Sequence, residues 1–208
     1  MIEFFYDCSS PWTYLGFESI EKLAAELEVS VAWRPVLVGA VFNAVNPSVY
    51  AQRENPVPAK WDYLLKDMRD WARLQGLSIR FPPSVFPVNS ANAMRACIVA
   101  DRHGLIVPFS RSVFRAYWSE DRDISSAAVL GAIAAEVGLK PNELLAAARS
   151  EELRTALRVN TDELIARGGF GSPTIFVAGS DMYFGNDRIP LVRHALARRA
   201  DVCSVNTH

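Results

Sequence analysis

Cysteine is scarce in this sequence, and none stands where a redox pair would need it. Cys8, Cys97 and Cys203 are an odd number at scattered spacings, which argues against a disulfide framework and against a zinc site and fits a reducing compartment. Long apolar runs are also missing. No stretch approaches the ~20 residues that cross a bilayer, and Met1 is not followed by a basic region, an apolar segment and a cleavage site. The expectation is a cytoplasmic protein with no membrane partner. Neither sign of charge is in surplus: 22 Lys and Arg stand against 23 Asp and Glu, for a net charge of −1, so nucleic acid is not expected as a partner. A Gly-rich phosphate loop and paired metal ligands are absent, and no metal is expected. His103 and His194 have no His or Cys partner in sequence and read as solvated or capping residues, while His208 is terminal. What the chain does have is bulk. Half of its 208 residues are hydrophobic, which suits one large domain or one domain carrying an insertion.

The most informative stretch is the first one, MIEFFYDCSSPWTYL. Ile2 to Tyr6 is an apolar and aromatic run of strand length. Asp7, Cys8, Ser9 and Ser10 are turn and capping residues, Pro11 follows, and Leu15, Phe17, Ile20, Leu23 and Ala24 then recur at helical spacing. Ser before Pro is a helix-start signal, because Ser accepts from free N–H groups and Pro lacks the donor that would go unpaired. Ser10 therefore stands at the mouth of a helix, where N–H groups and the helix dipole favour an anion. On this pair alone, ordinary capping is the preferred explanation. The spacing adds something more: Ser10-Pro11-Trp12-Thr13 occupies the place where thioredoxin-like proteins carry Cys-x-x-Cys, with the first thiol activated by the helix terminus. Here both positions hold hydroxyls, so an active site must take its sulfur from a ligand. Cys8, at the end of a buried strand, reads as packing.

The helix is expected to run from Pro11 to about Glu26 or Leu27. Val29 to Trp33 reads as a second strand ended by Arg34-Pro35, parallel to the first. Val36 to Val57 reads as a long, partly irregular loop. From Pro58 to about Arg167 the signals are helical, broken by the proline-rich Phe81 to Pro87 segment and by turns at Gly76, Gly104, Gly138 and Gly168-Gly169. Strands return at Ile175 to Val177 and Met182 to Phe184, a hairpin turning at Gly179-Ser180-Asp181. Asn186 or Asp187 caps a last helix from Pro190 to about Arg199. Pro173, before the hairpin, is a candidate cis residue. The order predicts an α/β protein with a thioredoxin-like fold: residues 1–38 and 170–208 form the thioredoxin-like part and residues 39–169 an inserted all-helical domain.

Five segments carry a resemblance. Phe5-Tyr6-Asp7 to Leu15, Arg34 to Gly39, Phe86-Pro87-Val88-Asn89, Gly171-Ser172-Pro173-Thr174 and Phe184-Gly185-Asn186-Asp187-Arg188 resemble, in this order, the 2-hydroxychromene-2-carboxylate isomerases of the kappa-class glutathione transferase family. The resemblance implies reduced glutathione as cofactor, with its sulfur at Ser10. It implies that the main chain of Ser172, before Pro173, pairs with the tripeptide as an added strand. Asp187 would take the γ-glutamyl ammonium, and Asn186 with the last helix its carboxylate. Asn46 and Lys60 would reach glutathione from the insertion, Lys60 pairing with the glycyl carboxylate; Trp12 and Gly185 complete the set. The implied reaction interconverts 2-hydroxychromene-2-carboxylate and trans-o-hydroxybenzylidenepyruvate in aromatic catabolism. Its small aromatic acid substrate needs an apolar wall, for which Trp12, Phe42, Phe86 and Trp118 are candidates, and a donor, for which Asn89 is preferred. Each of these aromatics also reads as ordinary core. By analogy with the family the chain is expected to form a homodimer. A glutathione transferase or peroxidase acting on other electrophiles, and a glutathione-binding protein without chemistry, are the competing expectations.

Overall fold

A computed structural model describes the backbone of residues 1–205 and side chains through Arg199; the side chain of Cys203, and His208, lie outside the described residues. The sheet is built from both ends of the chain. Strand β1 (Ile2–Tyr6) lies beside β2 (Val31–Pro35) in parallel and beside β3 (Thr174–Val177) antiparallel, and β4 (Asp181–Phe184) completes the order β2-β1-β3-β4. Helix α1 (Pro11–Glu26) makes the crossover from β1 to β2, as the sequence predicts. This is the thioredoxin-like arrangement expected.

Two expectations for the segment after α1 need correction. The second strand begins and ends two residues later than Val29 to Trp33 and includes Arg34 and Pro35. Because β2 is the outer strand, Pro35 loses no ladder partner, and Val36 N–H donates to Tyr6 O just beyond it at 2.9 Å. The segment expected to be an irregular loop holds two helices, α2 (Val38–Val45) and α3 (Ser48–Glu54). Helix α2 has no capping side chain of its own: its first N–H, at Val38, is met at 2.9 Å by the carboxylate of Asp7. A cap supplied across 31 positions of sequence leaves no local signal.

The helical region follows the predicted breaks. Helix α4 (Pro58–Gln75) ends at Gly76, whose φ of 70° is left-handed. Helices α5 (Ala91–Arg102), α6 (Ile106–Phe114), α7 (Ala127–Glu136), α8 (Pro141–Ala148) and α9 (Glu151–Ala166) follow. The helical run after Gly104 changes at Arg115–Ser119 to a π-helical turn, which carries Tyr117 and Trp118 into the core. After the β3–β4 hairpin, a short turn at Asn186–Arg188 leads into α10 (Ile189–Val205), longer than the expected Pro190 to Arg199.

One apolar cluster joins the sheet to the helices: Phe4, Tyr6 and Phe17 from the sheet and α1 pack with Phe114 of α6, with Tyr6 and Phe17 lying 6.2 and 5.3 Å from its ring. The opposite sheet face is closed by Arg167, which lies 3.7 Å from the Phe176 ring centroid and makes two bonds to the Glu3 carboxylate at 2.8 and 3.0 Å. That pair of hydrogen bonds holds the Glu3 carboxyl below its usual range. The peptide bonds before Pro173, Pro82 and Pro87 are cis. Of these, Pro173 is the one the sequence predicts. Among the described residues no helix is long and apolar enough to cross a membrane.

Candidate active site

Ser10 is the N-cap of α1, as the sequence predicts. Its extended backbone (φ −109°, ψ 124°) turns the side chain back to accept from Thr13 N–H at 3.2 Å. The same hydroxyl donates to the carbonyl oxygen of Ser172 across 3.3 Å, so the first turn of α1 and the approach to β3 meet at this atom. Behind it the Ser172 hydroxyl accepts from Asp7 N–H at 3.0 Å and pairs with the Thr13 hydroxyl at 2.8 Å. Pro173 closes on α1 over Gly16, where a Cβ would stand 3.0 Å from the proline ring. That glycine is what allows the contact.

Asp7 organises the turn from below. It is fully buried, and its carboxylate accepts from Ser9 N–H, Val38 N–H and the Ser90 hydroxyl, each at 2.9 Å. Burial pushes its pKa above the ordinary carboxylate value, and the three donors oppose the rise. The sequence marks this residue only as part of a turn. Cys8 is likewise fully buried, its N–H directed at Met94 Sδ and its carbonyl accepting from Trp118 Nε1 at 2.9 Å. Burial raises the Cys8 thiol well above its usual pKa, which favours the neutral form. The packing role read from sequence is the observed one.

Two hollows open beside Ser10 and share Trp12, Ser172 and Phe184. The larger, of about 850 Å³, is lined in part by Ser10, Asn46, Lys60, Phe42, Phe86 and Asn89. The smaller, of about 320 Å³, is lined in part by Pro173, Gly185, Asn186 and Asp187. The structure thus gathers every residue singled out from the sequence except one. Trp118 is fully buried and lines neither hollow; it stacks behind Phe81 at 6.2 Å, and Phe81 takes the place expected for it in the wall. The indole belongs to the core because its N–H is used to hold the Cys8 carbonyl.

Several of these side chains already have partners. Asn89 Oδ1 accepts from Ala91 N–H at 3.1 Å at the start of α5, and Asn46 Nδ2 donates to Phe170 O at 3.3 Å. Asp187 is ion-paired with Arg188. Asn186 differs: it is 6% exposed, and its Nδ2 has no hydrogen-bond partner. A buried donor left unpaired costs stability and points to an acceptor that arrives with a ligand. Gly185, just before it, has a φ of 102°, and a Cβ there would meet Asp187 Oδ1 at 2.7 Å.

Sequence reasoning missed Arg53 in the larger hollow and Asp67 and Trp71 in the smaller. The last two are one turn apart on α4, four residues being one turn of a face. In sequence Trp71 reads as core, and Asp67 offers no pattern. Arg53 sits in the segment expected to be a loop.

The DSBA-like thioredoxin domain, as a family, matches residues 1–197. The chain belongs to that family. Among its relatives is a glutathione S-transferase kappa 2 of Caenorhabditis elegans, 26% identical over 210 residues, which cover 95% of this chain and 92% of the relative. A 2-hydroxychromene-2-carboxylate isomerase of Pseudomonas putida is also 26% identical, over 200 residues, covering 95% of each chain. A solved structure of a 2-hydroxychromene-2-carboxylate isomerase superposes with a TM-score of 0.81 at 23% identity, covering 99% of this chain and 97% of that one; it shows the shared fold.

Proposed function

We propose that this chain is a glutathione-dependent isomerase of 2-hydroxychromene-2-carboxylate, forming trans-o-hydroxybenzylidenepyruvate. The reading rests above all on Ser10: a hydroxyl at the N-terminus of α1, in the place of a redox thiol, facing a large hollow. The relatives named above as isomerase and kappa-class transferase support it.

Glutathione fits the residues present. The unpaired amide of Asn186 offers a donor to the γ-glutamyl carboxylate, and Asp187 a counter-charge to the ammonium beside it. Lys60 and Asn46 lie on the rim of the larger hollow, where the glycyl carboxylate would be met. When bound, glutathione supplies a thiolate that adds reversibly to the conjugated carbon of the substrate, which turns a double bond into one that can rotate. Ser10 donates to that sulfur, and the first N–H groups of α1 add their dipole, which lowers a thiol from its ordinary pKa of ~8.5. The bond from Ser10 to Ser172 O is long at 3.3 Å, so turning the proton toward an anion gives up little. Ser172 presents main chain to the tripeptide backbone. Phe42, Phe86 and Trp12 supply the flat apolar wall for the aromatic substrate.

An ultraviolet assay of chromene isomerisation with and without added glutathione tests the reading. Turnover that requires glutathione supports it, and turnover indifferent to glutathione, or none, overturns it. Because a kappa-class transferase is as similar as the isomerase, chlorodinitrobenzene and a peroxide belong in the same assay; rates on either that exceed isomerisation would move the protein to the transferase reading.

A further inference from the structure

The larger hollow has a charge pattern that the proposed roles do not use up. Its lining includes no Asp or Glu and two cations, Lys60 and Arg53. Lys60 is assigned to the glycyl end of glutathione. Arg53 is left, and its position is specific: the guanidinium carbon lies 5.6 Å from the centroid of the Phe42 ring and 5.9 Å from that of Phe86. These rings come from different segments, α2 and the proline-rich stretch before α5, and Arg53 at the end of α3 bridges them. Among the described residues no carboxylate pairs with it, so the rings place the guanidinium while its N–H fork remains unmatched.

A cation set between aromatic faces recognises a ligand that is both flat and anionic. The rings take the plane of the molecule, and the planar fork takes a carboxylate with two parallel bonds. We propose that Arg53 determines the specificity of the second ligand site, pairing with the carboxylate of a planar aromatic acid and selecting such monoanions over neutral electrophiles of the same shape. The inference rests on the reading of the site given above, in which Lys60 is engaged by glutathione. It goes further in naming the residue that chooses the substrate class.

The test uses the whole protein loaded with glutathione and two non-reacting probes, o-hydroxycinnamate and its methyl ester, titrated by the fluorescence of Trp12 and Trp61 in the wall. Wild-type protein is expected to bind the acid at least about tenfold more tightly than the ester. Arg53→Gln is expected to weaken the acid by about tenfold or more while leaving the ester within about twofold, and Arg53→Lys to recover part of the loss. Equal weakening of acid and ester, or an acid preference that survives Arg53→Gln, overturns the proposal. Arg53 is exposed on α3, which buries no residue, so the variant is expected to fold. The two readings fail separately. A charge preference that depends on Arg53 in a protein that does not isomerise the chromene sustains this inference and removes the isomerase; isomerisation without the preference does the reverse.

Discussion

The two hollows beside Ser10 share a wall but differ in charge. The larger is apolar and aromatic, with cations and no acid in its lining, whereas the smaller collects Asp67 and Asp187 around a buried amide and one arginine, Arg188. A ligand that is uniformly anionic matches only the first. A zwitterionic end, ammonium beside carboxylate, matches the second. On the proposed reading one ligand would span both, past the shared wall of Trp12, Ser172 and Phe184, with the Ser10 hydroxyl on the side of the larger hollow.

That contrast is most exposed to attack at the middle. Ser10→Ala is expected to lower isomerisation by roughly 10²–10³-fold, the usual loss when one donor to a developing or held anion is removed. Glutathione should still bind by calorimetry, since both end groups remain. Wild-type activity in this variant would remove Ser10 from the mechanism. A smaller effect is expected at the mouth of the narrow hollow. Gly185→Ala forces a side chain into a left-handed φ of 102° and against Asp187. Glutathione should bind about tenfold more weakly, with a stability loss of about 1–2 kcal/mol in urea unfolding.

Asn186→Ala separates the two ends in a different way. Its Nδ2 is unpaired, so deleting it relieves a buried orphan. Glutathione affinity is expected to fall by roughly fivefold to tenfold while the melting temperature holds or rises. A fall in both would mean that the amide serves the fold. The smallest effect is expected far from both hollows. Glu3 is held below its usual pKa by Arg167, so its contribution is present above the ordinary glutamate range and is lost as pH falls below about 5. Glu3→Gln should cost about 1–2 kcal/mol at neutral pH and flatten the acid limb of the urea midpoint, leaving both ligands unaffected.

How much of this could be read from the chain depends on where each signal lies. The cap at Ser10, the helix that follows and the hairpin were legible, because their causes sit within a few residues of one another, whereas Asn186 and Asp187, expected to cap the last helix, lie in a short turn before it rather than at its cap position. Helix α2 was not, because its cap is the side chain of Asp7. Trp118 misled for a related reason: an aromatic residue shows its bulk in sequence, but the π-helical turn that carries it inward and the carbonyl that holds its N–H are set by tertiary structure. Arg53 escaped notice because a lone arginine in a presumed loop acquires meaning only when two rings from elsewhere close around it.

Asp7 has one more consequence. Three strangers in sequence, at positions 9, 38 and 90, lean on a single carboxylate, so none can swing away without stranding a donor in the interior. The floor beneath Ser10 and the starts of α2 and α5 are therefore locked into one block. By contrast α3, which borders the larger hollow, buries no residue of its own, and a bulky guest would meet the least resistance there.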